Sequence, residues 1–356
     1  MSRVAVAMSG GVDSSVAALL IKEAGEAAVG LSMQLYDRSR DGRPAYGRCC
    51  SPRDLHDARA AADRIGIPFY VLNLEEEFRS EVIADFLAEY RAGRTPVPCV
   101  HCNSGPKFRD LLGRAAALGA TRVATGHYAR TLRDPASGRR RLLRARDLSK
   151  DQSYFLFGLT QEQLARAIFP VGELSKSAVR ALAASRGLPN ADKPESQDIC
   201  FVPYRRYGEF MQKHVAGSVR EGPIVDRRGN ELGRHQGIAF HTVGQRRGLG
   251  VAAGQPLFVT EIQAGTNTVV VGTLDDLHKS TCLLDDVNFV SIPALSGPRR
   301  TLARIRYRAE PARAVISPAE DGRVLVTFEE PQRAITPGQA VVFYDDDVVV
   351  GVGTIV

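Results

Sequence analysis

Over its first two hundred residues or so the chain alternates between short unbroken apolar runs and stretches with helical spacing. VAVAM (4–8) has the pattern of a buried strand, and a helix is expected behind it from about Ser14 to Ala24. AVGLSMQL (28–35) gives a second strand, RDLHDARAAADRIG a helix ending at Gly66, and PFYVLNL (68–74) a third strand. EEFRSEVIADFLAEYRAG and KFRDLLGRAAALG predict two further helices, and RVATGHYA (122–129) a fourth strand. Strand–helix alternation of this kind predicts an α/β domain with a parallel sheet covered on both faces.

After about residue 205 the pattern changes. Glycines become frequent, and β-type runs dominate: IAFHTV, PLFVTEI and TVVVG, then CLLDDVNFV, TLARIRYRA, ARAVIS, RVLVTFEE and AVVFYDDDVVVGVGTIV. The spacing of strands and turns toward the end predicts a small barrel or sandwich. The expected organisation is therefore a catalytic α/β domain over 1–205, a small β-rich domain over 206–275 and a β-barrel over 276–356.

Composition narrows the class. With 356 residues, 44% hydrophobic and 24% charged, the chain suits a globular protein of several domains. It has no apolar run of the roughly 18 residues that a membrane span requires. Its first residues lack the apolar core of a signal peptide, so the expectation is a cytoplasmic protein. Six cysteines (Cys49, Cys50, Cys99, Cys102, Cys200, Cys282) are too sparse for a disulfide scaffold, and clustered thiols in a reducing compartment point to chemistry or metal. The net charge of +7 becomes informative through its distribution. RTLRDPASGRRRLLRAR (130–146) carries seven arginines against one aspartate around a turn signal, a basic hairpin suited to facing phosphate if the protein binds RNA.

AMSGGVDSS (7–15) joins the first strand to the first helix. Two adjacent glycines permit a tight turn, and the N–H groups of turn and helix start, with the Ser9, Ser14 and Ser15 hydroxyls, make an anion cradle. The string resembles the S-G-G-x-D-S loop of the PP-loop ATP pyrophosphatases, which grip the pyrophosphate of ATP and transfer AMP to a substrate oxygen. Asp13 would then help to hold a Mg²⁺ ion on the phosphates. Met33, ending the second strand, can pack on a base. Gly126 and His127 lie at the carboxyl edge of the fourth, where such sheets bind ligands.

AMSGGVDSS, TPVPCVHCN (95–103), ATGHYA (124–129), KDQSYFL (150–156), DKPESQDICF (192–201) and HTVGQRRGLG (241–250) follow in that order, with RIRYR (304–308) and TPGQAVVFY (336–344) near the end. As a set they closely resemble the tRNA-uridine 2-sulfurtransferases over nearly the whole chain. The resemblance implies that ATP adenylates the 2-oxygen of a wobble uridine and that sulfur then displaces AMP, giving 2-thiouridine. It implies ATP contacts at Ala7, Met8, Ser9, Gly10, Gly11, Val12, Asp13, Ser14, Met33 and Gly126. Cys200 would carry a persulfide delivered by a sulfur-relay protein or a cysteine desulfurase, and Cys102 would be the nucleophile or disulfide partner. Val97, Pro98 and Cys99 would meet the target base; His127, Lys150, Asp151, Gln152, Arg306, Tyr307 and Gln339 would touch the tRNA. A monomer with no membrane partner is expected.

Lys107 and Lys193 are the cations expected near the thiolates. Two features depart from the family string: Val97 stands where asparagine is common, and Ser104-Gly105-Pro106 predicts that the helix after the C-x-x-C starts later. Cys99 stands where aspartate also occurs, which leaves two routes open. Either Cys102 and Cys200 act by persulfide and disulfide chemistry alone, or Cys99, Cys102 and Cys200 ligate three irons of a [4Fe–4S] cluster. Another PP-loop ligase, such as a lysidine synthetase, or a non-enzymatic metal-dependent RNA-binding protein would share part of this pattern.

Overall fold

The computed structural model describes residues 3–36, 52–195, 199–202, 207–215, 219–251 and 253–356. These divide into two compact units. The first comprises 1–82, 99–201 and 347–349; the second comprises 83–98, 202–346 and 350–356.

The first unit is built on five parallel strands: β1 (Arg3–Ala7), β2 (Ala27–Gln34), β3 (Phe69–Asn73), β4 (Ala120–Thr125) and β7 (Ala167–Ile168), in the order β3-β2-β1-β4-β7. The alternation of side chains along β1 separates two cores. Val4 and Val6 face the helices Val12–Glu23, Pro52–Ile65 and Lys176–Ser185, packing on Val16, Ala17, Ala58, Ala61, Val179 and Ala183. Ala5 faces the other way with Val29, Leu31 and Val123, against Leu111, Leu112 and Ala115. Chain order runs outward from β1 to β3 on one side and from β4 to β7 on the other. The topological switch point therefore lies between β1 and β4, and their carboxyl ends flank the crevice where open α/β sheets take ligands.

The basic segment forms the expected hairpin, β5 (Ala129–Arg133) with β6 (Arg140–Arg144). Its turn is closed by Asp134, whose carbonyl accepts from Gly138 N–H at 2.8 Å. Several of its arginines have carboxylate partners: Arg130 with Asp347 at 2.8 Å, Arg141 with Asp134 at 2.9 Å and Arg146 with Glu173 at 2.9 Å.

The C-x-x-C region corrects one expectation. A helix begins at Pro98 and continues through Asn103–Asp110 to Ala117, so Ser104-Gly105-Pro106 neither delays nor breaks it. Asn103–Asp110 is wound as a π-helical segment with Pro106 inside it. The wider turn relieves the clash and the missing N–H that proline would impose on an α-helix.

In the second unit, β8 (Gly222–Val225), β9 (Glu231–His235), β10 (Phe258–Gln263) and β11 (Thr268–Gly272) form a sheet in the order β10-β11-β8-β9 over Ile224, Ile238, Leu249, Val259, Val269 and Val271. The expected strand IAFHTV is instead a short 3₁₀ turn, Ile238–Phe240, entered through Gly237 at φ 152°. The last six strands are β12 (His278–Phe289), β13 (Arg299–Arg304), β14 (Ala312–Pro318), β15 (Val324–Arg333), β16 (Ala340–Asp345) and β17 (Val348–Ile355). They run in the order β12-β15-β14-β13-β16-β17, and β12 pairs back onto β17, closing a six-stranded barrel. Closure removes the sheet edges that an open array would expose. The barrel interior holds Cys282, Leu284, Ile316, Val326, Val341 and Phe343.

Candidate active site

The loop between β1 and the helix Val12–Glu23 is held from three sides. Gly10 has φ 76°, a left-handed conformation, and a Cβ there would lie 2.2 Å from the carbonyl oxygen of Asp54. Only glycine fits this turn. The Ser9 N–H donates to Ser14 Oγ at 3.1 Å, while the Ser14 and Ser15 hydroxyls donate to the Gly11 carbonyl at 2.9 and 3.2 Å. Asn190 Nδ2, from beyond the helix Lys176–Ser185, donates to the Gly10 carbonyl at 3.0 Å and to Ser15 Oγ at 2.9 Å. From the neighbouring strand end, Gly126 comes so close that a Cβ would stand 2.5 Å from Ser14 N and 2.7 Å from Asp13 C. β4 thus meets the phosphate-type loop backbone to backbone, at the switch point.

Asp13 sits in the first turn of that helix. Lys176 Nζ donates to both its carboxylate oxygens, at 2.7 and 2.8 Å, and the Tyr128 hydroxyl donates to Oδ1 at 2.8 Å. Burial first, and then the Asp13 charge, pushes the Tyr128 phenol well above its ordinary value, so it stays a donor. Lys176 also reaches Glu195 at 2.9 Å, and Glu195 in turn accepts from Lys150 at 2.8 Å. Burial alone would raise the Glu195 carboxyl; the two lysines outweigh it and hold the group below the usual range. Lys193 contacts Asp54 and Asp57, at 2.7 and 2.5 Å, so the ion pairing of this expected thiolate neighbour is with carboxylates.

A second line of contacts joins this loop to the cysteine helix. Gln152 exchanges backbone and side-chain hydrogen bonds with Tyr128: its N–H donates to the Tyr128 carbonyl at 2.8 Å, and its Oε1 accepts from Tyr128 N–H at 3.0 Å. Asp151 is 2% exposed and faces inward, accepting from Ala145 N–H, Ser153 N–H and Ser153 Oγ. Four residues on, the Phe155 carbonyl accepts from Asn103 Nδ2 at 2.9 Å. Asn103 directly follows Cys102, which is buried; Cys99 is half-buried on the same helix, and so is Cys200 after the DKPESQDI segment. Cys49, Cys50 and Ser196–Asp198 lie outside the described residues.

His127 hydrogen-bonds Thr125 Oγ1 through Nδ1 at 2.9 Å and packs edge-on to Phe169, which also meets Phe108 of the π-helical segment. Desolvation, with the Lys107 charge second, lowers its imidazole to about 3, so His127 is neutral at physiological pH. Met33 packs on the Leu111–Ala115 side of the sheet. In the second unit, Arg306 donates to the carbonyls of Arg333 and Ala334 at 2.6 and 2.7 Å; Arg304 lies 5.4 Å from the Tyr307 ring centroid. Gln339 donates to the Thr95 carbonyl at 2.7 Å.

Comparison with known proteins identifies the lineage. The profile described as "tRNA methyl transferase HUP domain" matches residues 2–204, "tRNA methyl transferase PRC-barrel domain" matches 208–273, and "Aminomethyltransferase beta-barrel domain" matches 279–355. The chain is 49% identical over 353 residues to a protein of Clostridium perfringens named tRNA-specific 2-thiouridylase MnmA, covering 99% of this chain and 98% of that one. Proteins of the same name from Heliobacterium modesticaldum and Roseiflexus castenholzii are 50% and 49% identical, over 99% and 100% of this chain and 92% and 99% of theirs. The chain belongs to the tRNA-specific 2-thiouridylase family.

For a 2-thiouridylase-family chain, the residues that sequence reasoning passed over are those around Asp13: Lys176, Tyr128, Glu195 and Asn190. Lys176 opens a helix capped by Ser175, whose hydroxyl accepts from Ala178 N–H at 3.2 Å. Its only sequence signal is a lysine in the first turn, where the helix dipole disfavours a cation. The loop and Gly126 fit a nucleotide phosphate, because a glycine-rich turn leads from a strand end into a helix N-terminus at the switch point of the sheet. Asp13 offers one carboxylate for Mg²⁺, whose other ligands would come from phosphate and water. Among the described residues, which include Cys99, Cys102 and Cys200, no three His, Cys, Asp or Glu side chains gather closely enough to hold a metal ion. No helix among the described residues is long and apolar enough to cross a membrane.

Proposed function

We propose that this chain thiolates the wobble uridine of tRNA in an ATP-dependent reaction, producing 2-thiouridine, AMP and pyrophosphate. The observation that carries this reading is near-full-length identity of about one half to 2-thiouridylases. It is supported by a phosphate-type loop and a Cys102/Cys200 pair on the same compact unit.

ATP with Mg²⁺ supplies the leaving group: the uridine 2-oxygen attacks the α-phosphorus and pyrophosphate departs. Ala7–Ser14 and Gly126 bind the phosphates, with Met33 on the base side, and Asp13 would help to hold the Mg²⁺ that neutralises their charge. Lys176 and Tyr128 keep Asp13 oriented. Cys200 carries a persulfide received from a relay protein or desulfurase; its terminal sulfur attacks C2 of the base and AMP leaves. The Cys102 thiolate then attacks Cys200 Sγ, releasing 2-thiouridine and leaving a Cys102–Cys200 disulfide for an external thiol to reduce. The base must leave its stack to reach such a site. Contacts to tRNA fall to Val97–Cys99, His127, Lys150, Gln152, Arg306 and Tyr307. The protein works as a cytoplasmic monomer.

Incubation with unmodified tRNA, ATP and a persulfide donor tests the reading. AMP, pyrophosphate and 2-thiouridine should form in equal amounts. A lysidine-forming ligase would release AMP without thiolation, and a non-enzymatic RNA-binding protein would release none.

A further inference from the structure

Thr95 stands four residues before Cys99, in the segment that leads into the cysteine helix. Within the second unit its backbone is held on both sides by one turn of the barrel. The Thr95 N–H donates to the Pro337 carbonyl at 2.8 Å, and the Thr95 carbonyl accepts from Gln339 Nε2 at 2.7 Å. Between these bonds lies Gly338, at φ 85°, where a Cβ would be 2.8 Å from Thr95 N and 3.0 Å from Arg94 Cβ. The turn is itself fastened: Gly338 N–H donates to the Ile355 carbonyl at 2.9 Å, Ile355 N–H to the Gln339 carbonyl at 2.8 Å, and Thr336 Oγ1 to the Ala334 carbonyl at 2.8 Å. Just upstream, Gly93 faces Ile262 so closely that a Cβ would lie 2.7 Å from its Cγ2, and Arg94 is paired with Glu89.

A side-chain amide is thus used to complete a backbone ladder that a neighbouring strand would ordinarily complete. Polar backbone at a half-buried site needs such partners, and their loss frees the segment to sample other positions. We propose that the Thr336–Gln339 turn is a clamp on the entry to the C-x-x-C helix, with Gln339 and Gly338 as positioning residues that act on Cys99 and Cys102 through Thr95. The functional importance of that position rests on Cys102 as a sulfur-transfer residue; the clamp itself does not. A tRNA contact by Gln339 would use the same amide for a different partner, and the two roles separate experimentally.

The test uses the full chain with Gln339→Glu, which keeps size but presents an ionised acceptor to the Thr95 carbonyl, and Gly338→Ala, which leaves the Gln339 side chain in place. Without tRNA, amide exchange of the 93–99 peptide and iodoacetamide labelling of Cys99 and Cys102 are followed by mass spectrometry. Both variants should speed exchange and labelling about tenfold, the scale of one lost hydrogen bond. In turnover, kcat should fall about tenfold with the KM for tRNA within twofold of wild type. Wild-type exchange and labelling in Gln339→Glu, with only the KM for tRNA raised, would overturn the clamp. Full activity in Cys102→Ser with the exchange result intact would instead overturn the role of Cys102 and leave the clamp standing.

Discussion

Lys176 Nζ bridges the two oxygens of Asp13 at 2.7 and 2.8 Å and reaches Glu195 at 2.9 Å. One ammonium, little exposed, thereby ties two carboxylates together beside the glycine loop, with Lys150 the second cation on Glu195. Among the described residues, Lys176→Met leaves Asp13 with the Tyr128 hydroxyl as its side-chain partner, and charged hydrogen bonds of this kind are worth about 1.5–3 kcal/mol each. Thermal melting should show destabilisation on that scale, and calorimetric titration should show Mg-ATP affinity reduced at least tenfold. Asp13→Asn should retain the fold while losing Mg-dependent nucleotide binding.

Gly10 and Gly126 fail as alanine for different reasons. At Gly10 the Cβ meets the Asp54 carbonyl at 2.2 Å in a left-handed conformation, so Gly10→Ala should cost about 1–3 kcal/mol of stability. At Gly126 the obstruction is the loop itself, 2.5 Å away at Ser14 N. Gly126→Ala should therefore weaken ATP binding more than it lowers the melting temperature. Measuring both quantities on both variants checks the contrast.

His127 titrates near 3 and His241 near 4 in the folded chain, both lowered first by burial; in the unfolded chain each returns to about 6.5. Below about pH 6.5 the unfolded state takes up protons that the folded state refuses, so stability falls as pH drops toward 4 and is indifferent to these groups above 7. His127→Asn and His241→Asn should each narrow the difference in melting temperature between pH 7.5 and 5.0. An unchanged difference would show that neither histidine is held neutral.

Cys282 faces the barrel interior, 8% exposed, and burial raises its thiol to about 12. It should resist iodoacetamide at pH 8 in the native protein and react only on denaturation. Cys282→Ala should support thiolation at the wild-type rate, a control for general thiol loss that Cys102→Ser and Cys200→Ser cannot provide.

Strands β1 and β2 were legible because a parallel strand buried on both faces reads as an unbroken apolar run; β3, at the sheet edge with Tyr70 and Val71 exposed, was legible from its aromatic and β-branched residues. The middle sheet was harder: Glu231–His235 has no apolar run, while IAFHTV has one yet forms a turn, since Gly237 sets the backbone before it. Pro106 misled because proline rules are written for α-helices, and the local winding is wider. At the candidate site, glycines, Asp13 and the cysteines were visible as motif letters. Lys176 lies 163 residues from Asp13 and Asn190 lies 180 from Gly10, so no local pattern could pair them. Asp151 shows the converse: a letter within a motif that the fold turns inward.

In the proposed reaction, ATP-driven thiolation of tRNA runs through Cys102 and Cys200. The most direct measurement is nucleoside mass spectrometry of tRNA after single turnover with ATP and persulfide-loaded donor, for wild type, Cys102→Ser and Cys200→Ser. 2-Thiouridine is expected with wild type only, and none when ATP is omitted. Wild-type amounts of 2-thiouridine from either serine variant, or from a reaction without ATP, would contradict it.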